Sequence, residues 1–113
     1  MDNKQDINKY IFNNRIYYCP LELVMDMISG KWKPLMIYHL KDGAMRSGDL
    51  QRSLTSIANK MFTQTARELE NAGLLERIVY PVVPPKVEYK LTQRGNSLLP
   101  ILETLVEWGK KIH

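Results

Sequence analysis

Between residues 19 and 72 the apolar positions recur at helical spacing, in blocks separated by Pro, Gly and Asp-Gly. Leu21, Leu23, Val24, Met27 and Ile28 form one stripe, opened by Pro20, which suits the first position of a helix, and closed by Gly30. A second block begins around residues 31–34 and carries Leu35, Met36, Ile37 and Leu40 until Asp42-Gly43 turns the chain. A short third helix is predicted over residues 48–54, with Gly48 as its N-cap and Asp49 near the positive end of the dipole. The fourth, over residues 58–72 and ended by Gly73, is the most sharply divided. At about 100° per residue, Ala58, Met61, Phe62, Thr65, Ala66, Leu69 and Ala72 share one side, and Asn59, Lys60, Thr63, Gln64, Arg67 and Asn71 share the other.

The period then changes to two. LLERIVY, PVVPP and KVEYKL follow in turn, and Val87, Tyr89 and Leu91 alternate with Lys86, Glu88 and Lys90, which predicts a two-stranded hairpin with a proline-stiffened tip. Such a hairpin is marginal alone in water, so one face must lie on the helices. A last helix starts at Thr92 and runs towards Ile112, with a kink expected at Pro100 because Pro has no N–H for the carbonyl of Asn96. Its stripe of Leu98, Ile101, Leu102, Leu105, Trp108 and Ile112 is long for one small core, and these residues are expected at an interface with a second copy of the chain. Residues 1–18 are polar, Asn-rich and without a clear period. They are expected to form a mobile arm or short helix, with Ile7, Ile11 and Ile16 available for docking, ahead of one domain over residues 19–113.

Four helices, a hairpin and a helix, with only a few residues between the third and fourth helices, make a helix-turn-helix followed by a wing. The expected fold class is mainly α with a small β-wing: a dimeric winged helix-turn-helix. A length of 113 residues, 44% hydrophobic and 25% charged, agrees with one compact domain. Sixteen Lys plus Arg against twelve Asp plus Glu give +4 and a pI near 9.2. That excess suits a polyanionic partner, although many basic proteins bind no nucleic acid. The beginning of the chain has no apolar stretch fit for a signal peptide, and no run approaches the ~20 residues of a membrane span, so a cytoplasmic protein without a membrane partner is expected. A solitary Cys19 cannot close an intrachain disulfide, which agrees with a reducing compartment.

A helix about 10 to 12 Å across fits the ~12 Å major groove of duplex DNA. On the polar side of the fourth helix, Asn59 and Gln64 can pair bidentately with adenine, Arg67 with guanine, and Lys60 and Thr63 with phosphate or bases. The competing reading is an ordinary solvated helix face. Lys86 and the backbone beside Pro84 and Pro85 offer a contact from the wing to a flanking phosphate or the minor groove, with Arg77 and Lys90 in support. Cys19, ahead of Pro20 at a helix start, stands where the dipole favours thiolate, and Arg15 is a candidate to add to this. Against that, cysteine is among the residues most often buried.

Enzymatic chemistry has little to work with. There are two histidines and one cysteine, with no phosphate-cradling glycine loop and no metal-ligand spacing, so no catalytic residue, metal or cofactor is expected, and His39 is read as packed or half-buried. Two further readings stay open. One is a winged helix whose polar face meets an acidic protein surface; the other is a regulator with an effector, of unknown identity, between the wing and the dimer helices near Trp32, Met36 or Trp108.

The segments CPLELVMDMISGKWKPLMIYHL, MRSGDL, ARELENAGLLER, VYPVVPPKVEYKLTQRG and EWG, in this order, resemble the HxlR family of bacterial winged-helix regulators, relatives of the MarR group. The GKW, PPKVEY and LTQRG pieces are the most telling. The resemblance implies a homodimer built from terminal helices that binds near-palindromic operators on double-stranded DNA and controls neighbouring genes, here expected as a repressor. It further implies that Cys19 is a candidate sensor of oxidants or electrophiles. Residues and resemblance together give Arg46, Asn59, Lys60, Thr63, Gln64, Arg67 and Lys86 as the expected DNA-binding set. Two positions depart from the family pattern: Ser47 stands where an aromatic residue is usual, predicting looser packing under the third helix, and Ala58 stands where Ser or Thr caps the fourth.

Overall fold

A computed structural model describes residues 8–113. The chain begins with a hairpin, β1 (Tyr10–Phe12) and β2 (Arg15–Tyr17), followed by α1 (Pro20–Met27) and α2 (Trp32–His39). Next come the short strand β3 (Met45–Arg46), α3 (Ser47–Ser53), α4 (Asn59–Asn71), β4 (Leu75–Tyr80), β5 (Lys86–Leu91) and the long α5 (Gln93–Ile112). The core gathers Met36 and Ile37 from α2 with Leu40 at its C-cap, Leu50 from α3, Phe62, Ala66 and Leu69 from α4, Leu75, Tyr89 and Leu91 from the sheet, and Leu102 from α5. Phe62 meets the Tyr89 ring edge-on, with centroids 6.1 Å apart, and this contact seats α4 on the wing.

Residues 10–17 correct the expectation of an arm or short helix over residues 1–18. Asn13 and Asn14 both take left-handed backbone, at φ 57° and 64°. A two-residue hairpin turn needs that geometry, and Asn tolerates it better than other side-chain-bearing residues. Tyr17 is buried, and its hydroxyl donates to Asp26 Oδ2 at 2.6 Å, tying the hairpin to α1. Ile11 and Ile16 remain exposed, while Ile7 lies outside the described residues.

The wing is likewise larger than predicted. Its sheet has three strands in the order β3-β5-β4, because Met45 and Arg46 pair with Tyr89 and Glu88. A two-residue strand leaves no periodic trace in sequence. It also moves the start of α3 forward, so that Arg46 rather than Gly48 is the N-cap. Along α4 and its caps, Ala58 and Met61 are exposed, whereas Phe62, Thr65, Ala66, Leu69 and Ala72 face inward as expected. Ala58 caps α4 with no side-chain hydrogen bond, a departure that costs about 1 kcal/mol against Ser or Thr.

Helix α5 runs through Pro100 as one element. Its start is clamped onto the end of α4. Thr92 Oγ1 accepts from the Gly95 amide at 3.0 Å and donates to the Gly73 carbonyl at 2.6 Å, and Arg94 Nη1 donates to the Ala72 carbonyl at 2.9 Å. The LTQRG segment therefore satisfies the open carbonyls at the C-terminal end of α4 while capping α5.

The apolar stripe of α5 divides in two, which corrects one interface assignment. Leu102 is 5% exposed and belongs to the protomer's own core, with Leu98 packed against it at half-burial. Ile101, Leu105, Trp108 and Ile112 are 57, 53, 61 and 63% exposed. These four recur at spacings of four, three and four, the repeat of a two-helix seam, and Leu102 falls off that repeat onto the inward side.

Candidate nucleic-acid interface

Helices α3 and α4 and the wing enclose an open cleft of about 820 Å³. Arg46, Arg52, Arg67, Arg77 and Lys86 line it against the carboxylates of Asp49 and Glu70. Asp49 is already paired with Arg52, and Arg46, Arg67 and Arg77 make no ion pair among the described residues. Unpaired guanidinium groups in a concave surface between a helix and a wing concentrate positive potential where a phosphate backbone can follow. Ser47 is half-buried on the wall of this cleft.

The outer face of α4 continues from the cleft. Asn59, Lys60, Thr63, Gln64 and Arg67 are all exposed, and Thr63 and Arg67 border both the cleft and this face. The structure thus brings all seven expected DNA-binding residues to two adjoining surfaces: five lie on α4, while Arg46 at the foot of α3 and Lys86 at the start of β5 line the cleft. Several already have intramolecular partners. Asn59 Oδ1 accepts from Gln51 Nε2. Gln64 Nε2 donates to Glu68 Oε2 at 3.1 Å, and Lys33 Nζ lies 3.0 Å from Glu68 Oε1. The Lys33 ammonium and then the Gln64 amide hold the Glu68 carboxyl below its usual range. Stability from this link is present above the ordinary carboxylate pKa and is lost as pH falls through the lowered folded value, so at neutral pH Glu68 is ionised.

Lys86 alone of the seven makes an ion pair among the described residues. It is the first residue of β5, half-buried, with Nζ 4.6 Å from the Tyr80 ring centroid and 3.4 Å from Glu88 Oε2. Tyr80 donates its hydroxyl to Glu88 Oε1 at 3.0 Å, a bond that raises the phenol's pKa. The Lys86 charge is thus partly compensated within the wing. The tip beyond it exposes Val82 and, completely, Val83. Gln51 and Arg52 on α3 were not singled out from sequence, although Leu50 and Leu54 facing inward leave 51 and 52 pointing out. Lys33 gave no sequence signal, since its partner Glu68 lies on another helix.

An HxlR-like helix-turn-helix family profile matches residues 27–113. The chain belongs to that family. It is 50% identical over 94 residues to an uncharacterized HTH-type transcriptional regulator of Methanothermobacter thermautotrophicus, an alignment covering 83% of this chain and 72% of the relative. Among solved structures it resembles the redox regulator HypR in its oxidized form, at 45% identity and a TM-score of 0.79, over 84% of this chain and 98% of HypR. The reduced form of HypR superposes at 45% identity and a TM-score of 0.78, over 82% of this chain and 92% of HypR. As a member of the HxlR-like family, the protein is a DNA-binding transcriptional regulator of winged helix-turn-helix type, and α3–α4 with the wing form the corresponding module.

Cys19 lies ahead of the profile-matched segment, as the N-cap residue of α1, and it is exposed in the single chain. Its surroundings include Tyr18, Leu21 and Glu22. Arg15, considered from sequence as an aid to the thiolate, is instead engaged by Asp26 at 3.2 Å and by the face of Tyr17. His39 is half-buried with Nδ1 2.8 Å from Ser53 Oγ, a helix-to-helix link between α2 and α3. No helix among the described residues is long and apolar enough to cross a membrane.

Proposed function

We propose that this regulator binds near-palindromic operators as a homodimer, laying α4 of each protomer in successive major grooves, and represses the adjoining genes. The observation that carries this reading is the exposed, cation-bearing side of α4 opening directly onto the arginine-lined cleft of the wing. The exposed seam of Ile101, Leu105, Trp108 and Ile112 supplies the partner contact, aided by Ile11, Ile16 and Leu21 near the start of the chain. A twofold axis between the α5 helices sets two recognition helices about 34 Å apart along one face of the duplex, which is why the operator must repeat with inverted symmetry.

Genomic fragments retained by the purified protein provide the test. If the dimer neutralises about six phosphates, raising salt from about 50 to 200 mM weakens binding on the order of a thousandfold. A flat salt response contradicts the reading. On a retained fragment Arg67→Ala costs about 1 to 3 kcal/mol and on random DNA little, whereas Lys86→Ala weakens both alike. Equal losses in the two variants would reduce Arg67 to a phosphate contact.

Redox control through Cys19 is the second part of the proposal, favoured by its exposure at a helix start and by the likeness to HypR. A peroxide oxidises the Cys19 thiol to a sulfenic acid and is itself reduced to water or an alcohol, and a second thiol then condenses with that sulfenic acid to a disulfide with loss of water; either product adds bulk or a link beside the start of α1 and alters the spacing of the recognition helices. A thiol oxidant should therefore change operator affinity of the native protein and leave Cys19→Ser unaffected. The same change in both proteins rules the sensor out.

A further inference from the structure

Within the recognition face, Glu68 is out of character. It is a carboxylate, 45% exposed, on the same surface as Asn59, Gln64 and Arg67, where DNA phosphates would repel it. Its two oxygens are divided: Oε1 takes Lys33 Nζ at 3.0 Å, and Oε2 takes Gln64 Nε2 at 3.1 Å. Lys33 comes from α2, its side chain only 14% exposed, so the neutralising charge is supplied from beneath the recognition helix and held there.

We propose that Lys33 and Glu68 are positioning residues for base readout: they cancel a charge on the recognition face and fix which way round the Gln64 amide is presented. A carboxylate can only accept, so the Gln64 edge beside it must be the N–H₂ edge. One N–H is spent on Glu68. The carbonyl Oε1 and the remaining N–H are left facing out, which is the acceptor-and-donor pair that matches the N6 amino group and N7 of adenine. Without the carboxylate the amide can turn over, because a glutamine's two ends are nearly equal in shape and the hydrogen-bond network alone decides between them. Lys33 completes the device by anchoring Glu68 from the side away from Gln64.

This inference rests on the DNA-binding reading, and selection from a pool of randomised DNA duplexes separates the two. Gln64→Ala identifies the base position that Gln64 governs, as the position whose adenine preference disappears. Glu68→Gln should move that preference from adenine towards guanine: Lys33 claims the new amide's carbonyl, its N–H₂ turns to Gln64, and Gln64 then offers donors to the two acceptors of guanine. Lys33→Met, which keeps the aliphatic stem, should lower the adenine preference at that position about tenfold, within the range of a bidentate contact. Lys33→Arg should retain it, and the position lost in Arg67→Ala should be unchanged in all three. Adenine preference at native strength in Glu68→Gln overturns the amide assignment, and native preference in Lys33→Met removes Lys33 from the device. Glu68 is exposed enough for its substitution to leave folding intact, so Glu68→Gln alone decides the matter if Lys33→Met does not fold. Failure of the native protein to enrich any sequence defeats the DNA-binding reading itself.

Discussion

Trp108→Asp should yield a folded monomer that has lost at least a hundredfold in operator affinity. Trp108 is 61% exposed in the single chain and lies on the seam with Ile101, Leu105 and Ile112, so removing it costs the protomer core almost nothing. In the proposed dimer the same position is covered by the partner's α5. Burying a large apolar side chain contributes about 1.5 to 3 kcal/mol, and an unpaired carboxylate placed there adds a desolvation penalty of several more. Twofold symmetry counts each change twice. A monomer then binds one half-site without the gain of about 10² to 10⁴ that joining two modules provides. Light scattering gives the oligomeric state, circular dichroism the fold, and a salt-matched titration the affinity. A dimer that survives the substitution would place the interface elsewhere.

The second large effect is on stability. A Cβ added to Gly95 would lie 2.2 Å from the Leu74 carbonyl oxygen and 3.2 Å from Leu91 Cβ. The first of these is backbone and cannot swing aside, so α5 must be pushed off the end of α4. That disturbs the Thr92 cap and the Thr92 and Arg94 bonds to the Gly73 and Ala72 carbonyls. Gly95→Ala should lose about 3 kcal/mol or more, at the upper end for overpacking. Gly109, in the same helix, has nothing within 4 Å of an added Cβ. There the same change should be neutral or stabilise by up to about 1 kcal/mol, because Ala is the better helix former. Denaturant unfolding compares the two at equal protein concentration. Equal effects at both positions would mean that α5 does not rest on Leu74.

These contrasts mark what could be read from residue order. The helical stripes identified α1, α2, α4 and α5, and the alternation of Val87, Tyr89 and Leu91 identified the wing, because each pattern spans enough residues to reveal its period. The polar side of α4 was legible for the same reason, and all five of its expected contacts are exposed. The short α3 was legible to within a residue at each end, but the short strands were not. The Asn13-Asn14 turn carries a local signal, since both residues tolerate left-handed backbone, but the three-residue strands around it are too brief to show alternation. Leu102 could not be separated from Ile101 and Leu105 by hydrophobicity alone. The distinction lies in which side of α5 meets α2, and that is a tertiary fact.

Contacts between distant parts of the chain were the least legible. Lys33 and Glu68 are far apart in sequence, and nothing in GKWKP or ARELEN announces that one neutralises the other. The exposure of Cys19 was equally hidden, because the start of a helix is compatible with a thiol facing either way. Lys86 had the right charge in the right hairpin, yet Glu88 and Tyr80 on neighbouring strand positions already hold it.

The most direct measurement of where α4 sits is dimethyl sulfate probing of a retained DNA fragment, because the reagent methylates guanine N7 in the major groove and adenine N3 in the minor groove. Two clusters of protected guanine N7 atoms are expected, centred about one helical turn apart and lost in Arg67→Ala. Unprotected N7 atoms, or protection confined to adenine N3, would mean that the polar side of α4 does not enter the major groove.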